Sequence, residues 1–331
     1  VIIESHAHFT TAPQALDAYR GRQLSQRNRP TKGRPLKISD QQLADSLQGH
    51  LERMEKHNID RMIFSPRASG MGHEVGDFKM SLYWAQTNND LIARVCEMFP
   101  DKFLGAAQLP QSPGVKPKQW IDELERVVLQ LGFVGCNINA DISGGGQPFT
   151  AKLSDAWWNP LWEAMIELQV PGLMHATSCV NPALHLNGSH YTNHDAMAFF
   201  ELAWSDLLDR YPDLKLIVPH GGGSWPFHYN RHRSLHLGTN RMPFEEAIKR
   251  IYVDTAIYDR DSMDMLIRKA PIDNILFATE PFGTSKHIDP ETGTTFDDTA
   301  HFITENPNLS DADKEKILSG NALKVYPRIK L

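Results

Sequence analysis

The chain has 331 residues, 41% hydrophobic and 22% charged, with a formal net charge of -6. That length buries a large core, either as two domains or as one α/β barrel of roughly 250 residues plus insertions. The negative charge argues against nucleic acid or an anionic membrane as main partner, and no apolar run approaches the roughly 20 residues of a membrane helix.

Three cysteines, Cys96, Cys136 and Cys179, have no paired spacing. They fit a reducing, cytoplasmic setting without a disulfide framework. No basic region followed by a long apolar stretch opens the chain, so no signal peptide is expected.

Val1 to Ile3 reads as the start of a buried strand, and it runs into His6-Ala7-His8. Side chains two apart on a strand share a face, so both imidazoles can be presented side by side, which is half of a metal site. Residues 20–37 (RGRQLSQRNRPTKGRPLK) are basic and contain Pro and Gly. So long a stretch without a structural pattern reads as a lid, an active-site insertion or partly disordered chain. Ser39-Asp40 caps a helix expected to run to about residue 57.

Short apolar runs then recur at 61–65, 103–109, 133–138, 171–175, 214–219, 250–255 and 274–279, which with the first makes eight strands. Helical spacing of apolar residues fills 79–99, 117–131, 157–168, 195–211, 261–270 and 310–325. Alternating strands and helices imply right-handed βαβ units. Eight units favour a single closed (β/α)8 TIM barrel over residues 1–331 rather than an open doubly wound sheet. No GxGxxG follows a strand; Gly144-Gly145-Gly146 reads as a flexible connection, and the tryptophans read as packing.

In such barrels the chemistry sits at the C-terminal ends of the strands. Those ends carry His6 and His8, then Ser65-Pro66-Arg67, Asn137 and Asn139, His175, His220 before three glycines, Asp254, and Glu280. His6, His8 and His175 with one carboxylate would suit Zn²⁺, with Mn²⁺ as the alternative, leaving a position open for water or substrate. A histidine beside a glycine turn suits acid/base work, so His220 is a candidate proton carrier. Arg67 and Arg231 are candidate carboxylate clamps. Asn139, Tyr191, His185 and His190 could add hydrogen bonds to substrate. Each of these residues also has an ordinary reading, as a core histidine or a surface charge.

Together these residues resemble the amidohydrolase superfamily, in its amidohydrolase-2 group of metal-dependent decarboxylases, hydrolases and hydratases. The likeness rests on His6-Ala7-His8 after the first strand, His175, His220-Gly221-Gly222-Gly223 and an acid at strand eight, and covers nearly the whole chain. Within that group the blocks SHAHFTTAP, FSPRAS, GAAQLPQSPG, PHGGG and FATE resemble the hydratase branch. There the last-strand acid is Glu, as Glu280 is here, where most of the superfamily has Asp. The resemblance implies metal held by His6, His8, His175 and Glu280, His220 as proton donor, and Arg67 and Arg231 on substrate carboxylates. It implies a hydratase of a small unsaturated polycarboxylate, working as a homodimer or higher homo-oligomer. Glu280 remains open as ligand, base or both. A decarboxylase or hydrolase of the same superfamily, and a non-catalytic binding protein on the same scaffold, are the rival readings.

Overall fold

Each of the eight apolar runs forms a strand, and the strands pair in chain order, all parallel. They are β1 (Ile3–His8), β2 (Arg61–Ser65), β3 (Phe103–Gln108), β4 (Gly135–Ile138), β5 (Gly172–Met174), β6 (Leu216–Val218), β7 (Tyr252–Asp254) and β8 (Ile275–Leu276). The seam is joined by Ser5 N donating to Phe277 O at 2.9 Å. Glu4 also reaches across, accepting from Thr279 N at 2.9 Å. The structure, a computed structural model, describes residues 1–183, 185 and 189–331.

Helices cover the strands: α1 (Gln14–Ser25), α2 (Asp40–Lys56), α3 (Phe78–Met98), α4 (Ile121–Glu125), α5 (Asn159–Glu167), α6 (Ser189–Trp204), α7 (Leu207–Arg210), α8 (Tyr229–Leu237), α9 (Phe244–Ala247), α10 (Arg260–Lys269), α11 (His301–Thr304), α12 (Asp311–Glu315) and α13 (Asn321–Val325). The cap read at Ser39 is present: its hydroxyl accepts from Gln42 N at 3.1 Å, and the Gln42 side chain accepts from Ser39 N at 2.9 Å. Helix α1 departs from expectation, because it turns the first part of the basic 20–37 segment into helix. Its buried face is only Leu16, Tyr19 and Gln23, too sparse a stripe among basic residues for periodicity to reveal. Among the described residues no helix is long and apolar enough to cross a membrane.

One buried residue at each strand forms a layer inside the barrel: Ile3, Ile63, Ala106, Val134, Leu173, Ile217, Tyr252 and Leu276. Val325 and Tyr326, at the end of α13, close that layer from below. One pleat further along a strand the side chain faces inward again. That step leads from Ile63 to Ser65, from Leu173 to His175 and from Tyr252 to Asp254, so a polar layer stands directly on an apolar one. Outside the strands Trp120, Trp158, Trp162 and Trp225 are fully buried. Each such indole removes on the order of 200 Å² from water, roughly 5 kcal/mol at about 25 cal/mol per Å². These four tryptophans are therefore packing, as read from the sequence.

Candidate active site at the strand ends

The polar layer forms the floor of a cavity of about 530 Å³, lined among others by His8, Arg67, His175, Tyr191, His220, Tyr258, Glu280 and Lys286. His6, His8, His175 and Glu280 are all buried. His6 Nε2 lies 2.9 Å from His8 Nε2. One ligand atom each from His6, His175, His220 and Glu280 falls within a 4.8 Å group.

The other ring nitrogens are committed. His6 Nδ1 faces the Asp254 carboxylate at 2.8 Å, His8 Nδ1 the Ser65 hydroxyl at 2.7 Å, and His175 Nδ1 the Ala176 carbonyl at 2.7 Å. A carboxylate and a carbonyl only accept, so His6 and His175 carry a proton on Nδ1 and turn Nε2 inward. Among the described residues, His175 Nε2 is buried without a hydrogen-bond partner. Burial, then the neighbouring imidazoles of His6 and His175, holds His8 well below the usual histidine range, so His8 is neutral. Ring nitrogens converging on a carboxylate fit a divalent cation, and the partners behind them are the usual support of such ligands.

Glu280 divides its two oxygens. Oε1 lies 3.9 Å from both His8 Nε2 and His175 Nε2. Oε2 lies 3.3 Å from His220 Nε2 and accepts the Tyr258 hydroxyl at 2.7 Å. Burial alone would raise its pKa, but the His175 and His220 imidazoles beside it outweigh burial and keep Glu280 ionised. His220 is the opposite case. Burial works against its charge, yet Asp195 at 2.7 Å from Nδ1, and then Glu280, raise it well above the usual range. With a carboxylate at each nitrogen His220 is held as an imidazolium, which sets it apart from the neutral His8.

The backbone is shaped for this. His220 and Glu280 adopt φ of 52° and 48°, and Phe282 of 62°, a left-handed conformation that is costly for such residues and concentrates at functional sites. Two hydrogen bonds hold the turns in place: His220 N donates to Asp254 Oδ1 at 2.8 Å, and Phe282 N to Asp297 Oδ2 at 2.8 Å.

The remaining residues singled out in the sequence are more dispersed. Arg67 and Tyr191 line the cavity. Asn139 is buried, but its amide donates to Thr177 Oγ1 at 2.9 Å and its carbonyl accepts from Asp141 N, so it is a strut of the β4 loop and does not line the cavity. Arg231 is exposed on α8 and does not line it either. His185 and His190 pack around Tyr191, with ring centroids 6.1 Å and 5.5 Å from it. Among the described residues, none from 20–37 lines the cavity. Sequence reasoning missed Asp195, Tyr258 and Lys286, and gave Asp254 no role. Only Asp254 carried a signal, its place at a strand end.

The chain is 38% identical over 333 residues to 2-keto-4-carboxy-3-hexenedioate hydratase of Sphingobium sp., which takes in 99% of this chain and 97% of that one. The crystal structure of 4-oxalomesaconate hydratase, LigJ, from Rhodopseudomonas palustris matches with a TM-score of 0.91 at 40% identity, over 99% of this chain and 96% of that one. A dihydroxybenzoic acid decarboxylase from Polaromonas sp., solved with bound manganese, shares the fold at a TM-score of 0.73 and 24% identity, over 100% and 98% of the chains. The amidohydrolase profile matches residues 3–328, and the chain belongs to that family.

Proposed function

We propose that this chain is a metal-dependent hydratase that adds water to the C=C bond of 4-oxalomesaconate, whose enol form is 4-carboxy-2-hydroxymuconate, in the breakdown of aromatic compounds. The hydratase relatives at 38% and 40% identity support the reaction class. The observation that carries it is the division of Glu280, with one oxygen towards the imidazoles and the other towards a cationic histidine.

His6, His8, His175 and Glu280 Oε1 would hold the ion, Zn²⁺ by preference for a nitrogen-rich set, with Mn²⁺ able to substitute. When bound, it supplies Lewis acidity to water or to a carbonyl oxygen. The rest is the work of the chain. Glu280 Oε2 takes a proton from the incoming water as its oxygen bonds to one alkene carbon. His220 Nε2 delivers a proton to the other carbon. The 3.3 Å contact between them then returns the proton from Glu280 to His220, so one water is consumed and both groups are reset. The Tyr258 hydroxyl holds Oε2 in place; burial, then Glu280, keeps that phenol protonated. Arg67 and Lys286 at the cavity wall neutralise substrate carboxylates that a chain of net charge -6 would repel.

Asp254 supports this set from behind, and Asp254→Asn is expected to weaken metal affinity by about 10–100-fold. Titrating metal into the stripped protein checks this; unchanged affinity would mean that His6 needs no such support. The function itself is tested by mass analysis of 4-oxalomesaconate incubated with the Zn²⁺-loaded protein. Gain of one water, lost in His220→Ala, is the expected result. Loss of CO2, or an unchanged substrate with metal fully bound, would overturn the hydratase assignment.

A further inference from the structure

We propose that Asp195 is a positioning residue that acts through His220, fixing which ring nitrogen keeps its proton after each delivery. This rests on the reading of His220 as proton donor.

Asp195 stands on α6, fully buried, with its Oδ2 2.7 Å from His220 Nδ1. Its Oδ1 has no hydrogen-bond partner, and no Lys or Arg pairs with it among the described residues. A buried carboxylate whose one polar contact is an imidazole is expensive to keep, and at a merely structural position an apolar residue would serve better. The fold also makes room for the contact. Gly223, at φ 72°, lies against α6 so closely that a Cβ there would sit 2.4 Å from Thr192 O and 2.6 Å from Ala196 N. Those residues flank Asp195. The last glycine of the turn after His220 is therefore what lets α6 press its acid onto the ring. Asp254 holds the backbone of His220, Asp195 holds Nδ1, and Nε2 is left aimed at Glu280.

The consequence concerns tautomers. Once Nε2 has given its proton to carbon, the one left on the ring must sit on Nδ1, so that Nε2 is bare and can take a proton back from Glu280. A carboxylate enforces this because it only accepts. An asparagine offers N–H as readily as C=O, so the ring can settle with its proton on Nε2, where it cannot be reloaded. The same substitution behind a catalytic histidine in serine proteases costs about 10⁴-fold in kcat through the wrong tautomer.

The test uses Asp195→Asn in the Zn²⁺-loaded protein. With 4-oxalomesaconate, kcat should fall by at least about 100-fold with KM nearly unchanged. In a His220→Ala background the same change should cost nothing further. Independently of any substrate, ¹⁵N-histidine spectra should show the His220 Nδ1 signal, assigned by its loss in His220→Gln, moving from a protonated to an unprotonated position in Asp195→Asn. Full activity in Asp195→Asn, an additive loss in the double variant, or an unmoved Nδ1 signal would each overturn the proposal. If the spectra move as expected while the parent protein leaves 4-oxalomesaconate unchanged, the positioning role stands and the substrate assignment fails.

Discussion

Replacing His175 with Ala is expected to empty the metal centre and reduce hydration to background. Among the described residues His175 Nε2 is buried without a partner, and its other nitrogen is tied to the Ala176 carbonyl. A histidine so placed makes no hydrogen bond on the cavity side, and a bound cation would supply the missing partner. Because even an outer partner is worth about 10–100-fold in metal affinity, a ligand should be worth more than ~100-fold. Metal content after dialysis, alongside activity, is the readout. The variant should also respond differently from the parent to a chelator. The parent should lose both activity and thermal stability when stripped and regain them with Zn²⁺, since an ion bound only by the folded state stabilises it. His175→Ala should sit near the stripped parent from the start. A variant that kept stoichiometric metal and normal turnover would remove His175 from the ligand set and leave His6, His8, His220 and Glu280 to account for it.

How far the sequence disclosed this site depended on how local each signal was. The pleat of β1 places His6 and His8 on one face whatever the rest of the chain does, and the same period carries His175 to the top of β5. Those residues were legible because two-residue alternation is a property of the strand itself. Asp195 was not, because it lies 25 residues before its partner on a helix and meets it only through the close approach at Gly223. Tyr258 and Lys286 stand on loops after β7 and β8, where no period applies. The strand-end rule also overreached at Asn139, since a residue just beyond β4 is no longer bound to the pleat and turns to Thr177. Arg231 was singled out by resemblance rather than by pattern, and it stands on the exposed face of α8. The barrel was the more legible part, because eight apolar runs of similar length allow few other closures. Even so the runs overstated the ladder: 274–279 yields only Ile275–Leu276 as β8, and the residues beyond leave it to form the strained turn at Glu280.

Glu280→Asp is expected to separate metal binding from proton transfer. In the parent one carboxylate faces two sides, with Oε1 3.9 Å from His8 Nε2 and His175 Nε2 and Oε2 3.3 Å from His220 and 2.7 Å from Tyr258. An aspartate is one methylene shorter and cannot reach both sides from the same backbone. The backbone will not readily move to help, because φ at this position is already 48°, a left-handed conformation that the surrounding turn has to hold in place. Seated on the metal side, the shortened acid should retain the ion but lose contact with His220, and kcat should fall by about 10²–10⁴-fold, the range expected for a lost acid/base group. Glu280→Gln keeps the length and removes the charge, so it should lose both metal affinity and turnover. Measuring metal content and hydration for the two variants side by side distinguishes these roles. If Glu280→Asp kept both metal and full hydration, the reach of the longer side chain would not matter, and the division of its oxygens could not be the basis of catalysis. If it instead released CO2 from its substrate, the length of this one acid would be what directs the shared metal centre away from decarboxylation and towards the addition of water.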